Sequence, residues 1–218
     1  MTACSPEPTP VSTPSAAPAR SVTPRPGGAT PTLPVARPVA PTASPGAGGS
    51  PVAGRESGQS SGQPFVLRSP AFAAGADLPA EFTCDGKGNS PPLSWSGAPA
   101  GTRAFALIAE DGDATAGDTS FVHWLVYNMP ARTTQLPAAV EPKPVLSNGA
   151  QQGLNSDQTI GYFNPCPNRG DPPHHFNFDL FAQDGYVTLE TGASVDTVRD
   201  ALKGHILGQA ELVATYQR

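Results

Sequence analysis

The sequence has few basic residues and no long apolar run, and each shortage excludes a class of function. It contains 13 Lys and Arg against 18 Asp and Glu, which gives a net charge of −5. Nucleic-acid binding needs a clustered basic face, and the basic residues here are scattered along the chain. No run of about 18 consecutive apolar residues occurs, so the sequence predicts no membrane-spanning helix.

Aromatic residues are missing from the first 63 positions, which contain 13 of the 27 prolines. Apart from four Arg and two Glu, this segment consists largely of Ala, Thr, Ser, Gly and Pro. Such a composition cannot bury enough apolar surface to offset the entropy of ordering the chain. Residues 1–63 are therefore predicted to form a disordered tether. Residues 64–218 contain every aromatic residue and are predicted to form one acidic domain of common size.

Cysteine is scarce, with only Cys4, Cys84 and Cys166 in the chain. Cys4 follows the small residue Ala3 and precedes the tether, an arrangement that resembles the lipobox of bacterial lipoproteins. We therefore expect Cys4 to be lipidated and the chain to be exported and anchored on the outer side of the cytoplasmic membrane. The alternative is a chance cysteine in a cytoplasmic protein. In an exported protein Cys84 and Cys166 can form a disulfide, and the sequence leaves the pairing open.

Short apolar or alternating segments between Gly and Pro turns dominate residues 64–218. Strands are predicted at residues 64–67, 78–83, 93–95, 103–109, 120–129, 174–183 and 211–216, with loops at 84–92 and 110–118. Ser194 is a candidate N-cap of a late helix with an apolar stripe at Val195, Val198, Leu202 and Ile206. The predicted fold class is mostly β, with two antiparallel sheets in a sandwich and a short C-terminal helix.

The clearest predicted strand covers residues 120–129 and contains His123. Strict alternation puts every second side chain of a strand on the same face. One face would carry Phe121, His123, Leu125 and Tyr127, and the other would carry Val122, Trp124, Val126 and Asn128. From the strand alone, His123 is more often a satisfied core histidine than a ligand-binding residue.

A histidine pair follows a proline-rich loop. Residues 161–173 contain four prolines, which remove backbone donors and exclude a regular helix or a central strand. If the strand that begins at His174 is a neighbour of the one containing His123, then both histidines meet Asp111 and Asp113 at one end of the sheets. Such a cavity would suit a small anion such as a phosphate, and Asp111 would orient His123.

The motifs of several enzyme classes are missing. We find no Gly-x-Ser-x-Gly nucleophile elbow, no Ser-His-Asp motif and no glycine-rich phosphate loop. Two Asp and two or three His could ligate zinc, but no tight spacing such as His-x-x-x-His supports a metal site. The sequence therefore predicts a non-enzymatic protein without a cofactor. A weak hydrolase that uses Asp and His as acid and base is the remaining enzymatic alternative.

Several short segments between residues 82 and 218 carry a resemblance to a known family. They are Phe-Thr-Cys-Asp-Gly at 82–86, Ser-Pro-Pro-Leu-Ser-Trp at 90–95, Phe-Ala-Leu-Ile-Ala-Glu-Asp at 105–111, Phe-Val-His-Trp at 121–124, and the segments 161–167 and 204–218. In this order they resemble the bacterial branch of the phosphatidylethanolamine-binding protein family, also called Raf kinase inhibitor proteins. The resemblance covers residues 64–218 and implies two antiparallel sheets with an anion pocket.

The motifs of that family imply a set of pocket residues in this sequence. By position, the implied ligand-binding residues are Asp111, Asp113, His123, Trp124, Pro165, Cys166, Pro167, His174 and Phe176. The sequence departs from the motifs where the loop after Asp111 lacks both prolines and where Asn168 follows Pro167. Phe176 also replaces a tyrosine, and His175 replaces an arginine. The lost donors predict weaker phosphate binding, by about 1 kcal/mol or more per missing hydrogen bond.

Two functions are compatible with these features. The first is binding of a small anionic or phosphorylated ligand, such as a phospholipid head group, by a domain tethered outside the cytoplasm. The second is inhibition of a partner protein, such as a protease or kinase, through the rim of the pocket. No nucleic-acid partner is expected, and membrane contact is expected only through a lipid anchor.

Overall fold

The computed structural model describes residues 63–116 and 119–218; Cys4 and residues 1–62 of the predicted tether lie outside the described residues. In chain order the elements are β1 (Val66–Arg68), β2 (Leu93–Ser96), β3 (Ala104–Ala116), β4 (Thr119–Pro130), β5 (Gln135–Leu136), β6 (Gln151–Gln152), β7 (His174–Gln183), α1 (Val195–Leu202) and β8 (Ile206–Tyr216). The small sheet has the order β1-β2-β5, and the large sheet has the order β6-β4-β3-β7-β8. All pairs of these strands are antiparallel, so the predicted fold class is confirmed.

Apolar side chains cover both faces of the large sheet. Between the sheets, Leu93 and Trp95 of β2 pack in one core with Phe105 and Leu107 of β3. On the opposite face, residues of β3 and β4 form a second core with Val198 and Leu202 of α1. Because the first half of β3 is buried on both faces, its sequence is nearly all apolar and does not alternate.

The predicted strand at residues 78–83 is wrong. Residues Ala80–Phe82 form a single turn of 3-10 helix, in which the N–H of Phe82 donates to the carbonyl of Pro79 at 2.9 Å. Proline holds φ near the value that such a turn needs at its start, and Pro79 has φ of −58°. Local proline geometry therefore outweighs the apolar residues that suggested a strand.

The predicted acidic loop at residues 110–118 is wrong in part. Asp111 still pairs with Phe121 of β4, and pairing resumes between Thr115 and Ser120. The three residues at 112–114 have no partner on β4 and form an irregularity within β3. Residues 110–116 are therefore part of β3 rather than a free loop, and residues 117 and 118 lie outside the described residues.

His123 occupies a β-bulge in β4. Ala109 pairs with Trp124 and the next residue, Glu110, pairs with Val122, so His123 is one extra residue on its strand. A bulge of this kind interrupts the alternation of side chains along a strand. The residues on either side of His123 therefore do not follow the faces that strict alternation assigns.

The predicted faces of β4 are consequently wrong on one side of the bulge. Leu125 and Tyr127 belong to the core under α1, as Val122 also does, while Trp124 and Val126 belong to the core between the sheets. The ring of His123 contacts Phe176 of the inter-sheet core, with 5.4 Å between ring centroids. The bulge thus moves His123 away from the face of Leu125 and Tyr127.

Helix α1 begins where the sequence predicts. The Ser194 Oγ accepts a hydrogen bond from the N–H of Thr197 at 3.3 Å, as an N-cap does, and Asp196 lies in the first turn. The helix ends at Leu202, and Ile206 of the predicted apolar stripe is instead the first residue of β8. In the part of the chain that the structure describes, no helix is both long and apolar enough to span a bilayer.

Candidate ligand pocket

A cavity of about 210 Å³ opens where the irregular end of β3, the bulge of β4 and the start of β7 meet. Its lining residues are Asp111, Ala114, Phe121, His123, Phe163, Cys166, Pro167, Asn168, Asp171 and His174. Strands of the large sheet supply five of the ten lining residues, and the loop 163–171 supplies the other five. The structure therefore brings Asp111, His123 and His174 together, although β4 and β7 are not the neighbours that the prediction assumed, because β3 lies between them.

Asp111 is a buried carboxylate whose two oxygens are both occupied. Its Oδ1 accepts the backbone N–H groups of Asp113 and Ala114 at 2.9 and 3.1 Å, and its Oδ2 lies 2.7 Å from Nδ1 of His174. The residue is only 3% exposed. Burying a carboxylate is costly unless hydrogen-bond donors satisfy it. The irregularity at residues 112–114 supplies two such donors to Asp111, both of them backbone N–H groups.

The contact with Asp111 determines which nitrogen of His174 is free. A carboxylate accepts, so Nδ1 of His174 carries the proton and Nε2 is left for other partners. In the imidazolium form, Nε2–H is a charged donor whose positive charge Asp111 balances. The sequence predicted that Asp111 orients His123, and the structure shows that it orients His174 instead.

His123 is held by the backbone of the facing loop. Its Nδ1 lies 2.7 Å from the carbonyl oxygen of Phe163 and must donate to it, while its own carbonyl accepts the N–H of Phe163 at 2.8 Å. Burial lowers the pKa of His123, and the neighbouring His174 acts in the same direction; the Phe163 hydrogen bond and the charge of Asp111 oppose this shift. The favoured form is therefore the neutral ring, in which Nε2 is an acceptor.

Aromatic rings surround His123. Its ring lies 4.9 Å from that of Phe121 and 6.1 Å from that of Phe163, and the two phenylalanine rings are 5.6 Å apart. Phe176 contacts the rings of both His123 and His174, at 5.4 and 6.4 Å, from within the inter-sheet core. Phe176 therefore supports the two histidines rather than lining the cavity.

The remaining implied pocket residues lie around the cavity and do not line it. Trp124 is fully buried in the inter-sheet core, where its Nε1–H donates to Oε1 of Gln152 at 2.7 Å. Pro165 is buried, and its carbonyl accepts the N–H of Cys84 at 3.0 Å. Asp113 faces outward and pairs with the exposed His175, whose hydrogen bonds lower the pKa of Asp113.

A disulfide between Cys84 and Cys166 attaches the lining loop to the loop after the 3-10 turn, with 5.4 Å between the Cα atoms. This answers the question that the sequence left open. Beside the bond, Asp85 accepts two hydrogen bonds from the guanidinium of Arg218, at 2.9 and 3.0 Å, and a third from the hydroxyl of Tyr216. These donors lower the pKa of Asp85. The hydrogen bond from Arg218 has the largest effect, and the one from Tyr216 has the next largest.

Sequence reasoning missed half of the lining residues: Ala114, Phe121, Phe163, Asn168 and Asp171. Four of them lie in irregular segments, where no strand or helix imposes a periodic pattern: Ala114 in the irregular part of β3, and Phe163, Asn168 and Asp171 in the loop 163–171. Phe121 lies on a predicted strand, but alternation placed it beside Leu125. A signal was available in Asn168 and Asp171, which are polar residues in a rigid proline-containing loop near a histidine.

The wall of the cavity combines acidic, histidine and aromatic side chains. Of the ten lining residues, none offers a hydroxyl or a free thiol as a nucleophile, and none is Lys or Arg. Two carboxylates, two histidines and two phenylalanine rings remain. In residues 63–116 and 119–218, no three His, Cys, Asp or Glu side chains are grouped as a metal site would require.

A larger groove of about 470 Å³ lies along residues 135–148. Its charged lining residues, Glu141 and Lys143, form an ion pair with each other at 2.5 Å and are both largely exposed. It contains no histidine and no buried carboxylate. We therefore regard the smaller cavity at His174 as the candidate functional site.

Comparisons with known proteins agree on one family. The family model described as phosphatidylethanolamine-binding protein matches residues 68–217. A UPF0098 protein of Methanothermobacter thermautotrophicus is 40% identical over 152 residues, which cover 70% of this chain and 98% of the relative. A candidate lipoprotein of Mycobacterium tuberculosis, LppC, is 35% identical over 71% of this chain and 73% of its own length. The solved structure of E. coli YbcL is similar, with 31% identity, a TM-score of 0.65, and coverage of 71% of this chain and 98% of YbcL.

Proposed function

The chain belongs to the phosphatidylethanolamine-binding protein family, and we propose that it is a non-enzymatic binding domain whose pocket at His174 holds a small phosphorylated ligand. The observation that carries the proposal is the buried Asp111–His174 pair. Asp111 accepts from Nδ1 of His174, which leaves Nε2 for a ligand; in the imidazolium form, Nε2–H is a charged donor to a phosphate oxygen. Hydrogen bonds between charged partners are among the stronger ones in proteins.

The charge of the wall favours a ligand that also carries a positive group. Asp111 and Asp171 line the cavity, and none of the ten lining residues is Lys or Arg, so a ligand with several negative charges and no cation would be disfavoured. The faces of Phe121 and Phe163 attract an ammonium group, and the neutral His123 accepts a hydrogen bond. A phosphate monoester of an amino alcohol, free or as a lipid head group, fits these features better than inorganic phosphate does.

The test uses thermal unfolding of the full chain with millimolar phosphoethanolamine, ethanolamine, inorganic phosphate or zinc. A ligand that binds only the folded state raises its stability, by about 2.7 kcal/mol at 100 times the Kd. We expect phosphoethanolamine to raise the Tm of the parent and of a His175→Gln control, and to have little effect on His174→Gln.

His175 is a matched control because it forms a similar pair with Asp113, at 2.8 Å, outside the cavity. Equal shifts in the two histidine variants would place binding elsewhere. A shift with zinc alone would favour a metal site. If no compound changed the Tm of the parent, the small-ligand proposal would be wrong, and inhibition of a partner protein would be the function to test next.

We also propose that the domain functions outside the cytoplasm, anchored by a lipid on Cys4. The lipobox-like Ala3–Cys4 sequence supports this, as does the name of the relative LppC. The Cys84–Cys166 disulfide adds support, because such bonds persist in oxidising compartments. The intact mass of native protein extracted in detergent should include a lipid on Cys4, and an unmodified Cys4 would contradict the anchor.

A further inference from the structure

The Cys84–Cys166 disulfide is partly exposed, and one of its two cysteines forms part of the pocket wall. Cys166 lines the cavity and is an exposed residue, and Cys84 is partly exposed. We propose that this bond is a thiol–disulfide exchange site through which a dithiol reductant, small or protein-borne, controls ligand binding. The inference rests on the proposed function, because it concerns the regulation of the same pocket.

Cleavage of this bond would remove the covalent anchor of the loop 163–171, which is hydrogen-bonded to β4 at Phe163 and to the chain after β8 at Gly170. The loop 163–171 supplies five of the ten lining residues, among them Cys166 and Asp171. Pro165 and Pro167, on either side of Cys166, have no N–H groups with which to anchor the loop. The disulfide thus provides a covalent anchor at a position where the backbone has few hydrogen-bond donors.

Arg218 holds a positive charge against one of the two sulfurs. Its Nη1 donates to Sγ of Cys166 at 3.3 Å. Its Nε and Nη2 donate to Oδ2 and Oδ1 of Asp85, respectively. The hydroxyl of Tyr216 also donates to Asp85, so the guanidinium lies in a fixed network. A neighbouring guanidinium stabilises a thiolate and therefore makes Cys166 the better leaving group.

The exchange then proceeds in two balanced steps. A thiolate of the reductant attacks Sγ of Cys84, a new S–S bond forms, and the electron pair of the old bond leaves on Sγ of Cys166 beside Arg218. The second thiolate of the reductant attacks the mixed disulfide at the reductant's own sulfur and releases Cys84 as a thiolate. The protein gains two electrons, and the dithiol is oxidised to a disulfide.

Reduction weakens phosphate binding for two reasons that act in the same direction. The loop loses its covalent anchor at Cys166, so Asn168 and Asp171 are held less firmly, through hydrogen bonds such as those from Gly170 N–H to the carbonyl of Arg218 and from Nε2 of Gln217 to the carbonyl of Asp171. A thiolate at Cys166 also adds a negative charge to a cavity that already contains Asp111 and Asp171. We expect the affinity for phosphoethanolamine to fall at least tenfold.

The first experiment measures phosphoethanolamine binding by calorimetry to the full chain, oxidised and after reduction with dithiothreitol. A Cys84→Ser/Cys166→Ser double variant, which cannot gain the thiolate charge, should lose part of the affinity and should not respond to dithiothreitol. Circular dichroism checks that each form is folded. Binding that is equal in the oxidised and reduced forms would overturn the redox control alone. Absence of binding in both would overturn the proposed function and this inference with it.

The second experiment identifies which sulfur is attacked. The full chain is treated with glutathione, free thiols are alkylated, and the products are mapped by mass spectrometry. We expect glutathione on Cys84 and the alkyl group on Cys166, and an Arg218→Gln variant should lose this preference. Arg169→Gln is the control, because it removes a guanidinium that lies 3.7 Å from Asp85, whereas Arg218→Gln removes the one that donates to Cys166. Glutathione found mainly on Cys166 of the parent would contradict the role of Arg218.

Discussion

At the scale of single residues, two similar pairs of side chains differ in what surrounds them. Asp111 pairs with His174 at 2.7 Å and Asp113 pairs with His175 at 2.8 Å, through equivalent atoms. The first pair is largely buried and lines a cavity, whereas both side chains of the second are more than two-fifths exposed. Water and salt screen the exposed pair, so it contributes little to stability. The buried pair can impose a charge and a direction on a ligand.

The lowered pKa of His123 predicts a pH dependence of stability. A histidine in the unfolded chain titrates near pH 6.5, and burial lowers the pKa of His123 in the folded state. Below about pH 6.5 the unfolded state therefore binds this proton more readily, and the free energy of unfolding falls as the pH falls toward the folded pKa. The contribution of His123 is fully present above pH 6.5.

The measurement is urea unfolding of the parent and of His123→Asn between pH 7.5 and 5. Asparagine retains a donor near the position of Nδ1, facing the carbonyl of Phe163, and does not titrate. We expect the parent to lose more stability than the variant over this range. Parallel pH profiles would contradict a buried, neutral His123. The carboxyl groups with lowered pKa values, Asp85 and Asp113, titrate below this range and do not interfere.

At the scale of elements, two irregularities in β4 determine which of its side chains reach the pocket and which reach the core. One bulge places His123 at the pocket, and a second irregularity near Asn128, which has φ of 55°, changes the register again before Met129. Asparagine tolerates this left-handed conformation better than most residues. The Asn128 side chain then exchanges hydrogen bonds with the backbone of Val187 at 2.8 and 2.9 Å, which attaches the segment before α1 to the sheet.

Close packing beside β4 predicts a sensitive glycine. A Cβ added at Gly153 would lie 2.4 Å from Cδ2 of Leu125 and 2.5 Å from the carbonyl oxygen of Ala193. Gly153→Ala should therefore lower the free energy of unfolding by about 1–3 kcal/mol, as overpacking does. Gly185→Ala is the control, because nothing lies within 4 Å of its added Cβ. Urea denaturation measures both variants, and equal stability of the two would contradict the packing described for β4.

At the scale of the whole domain, one covalent bond joins distant parts of the chain. Cys84 and Cys166 are separated by 82 positions, and the segment between them contains all of β2 to β6. Closing so long a loop restricts the unfolded chain far more than the folded one. The same bond attaches the pocket loop to the loop after the 3-10 turn, so global stability and the shape of the pocket depend on one pair of sulfurs.

The Cys84→Ser/Cys166→Ser variant should therefore lose about 4 kcal/mol of unfolding free energy. Urea titration of the oxidised parent, the reduced parent and the variant measures this loss. The reduced parent should resemble the variant more closely than the oxidised parent. A loss below about 1 kcal/mol would show that the bond contributes little to stability, even if it controls the pocket.

Local pattern was sufficient for much of the fold. The strands at residues 93–95, 103–109, 120–129 and 174–183 and the N-cap at Ser194 could be predicted, because apolar periodicity and capping chemistry are local properties. The short strands, the Gly and Pro turns and the late helix predicted two antiparallel sheets, and the family resemblance over residues 64–218 implied the same architecture. The prediction was wrong at residues 78–83, where proline geometry outweighed apolar content, and at the end of β3, where pairing with β4 continued through acidic residues.

The sequence by itself determined five of the ten lining residues, because their motifs are local; these are Asp111, His123, Cys166, Pro167 and His174. Only the tertiary structure decided that Asp111 faces His174, that His123 donates to Phe163, and that Cys84 bonds to Cys166. Each of these contacts joins residues at least 40 positions apart, and two of them depend on a bulge or an irregularity that shifts the register of β3 and β4. A one-residue shift in register exchanges the faces of a strand, and alternation read along one strand cannot reveal it.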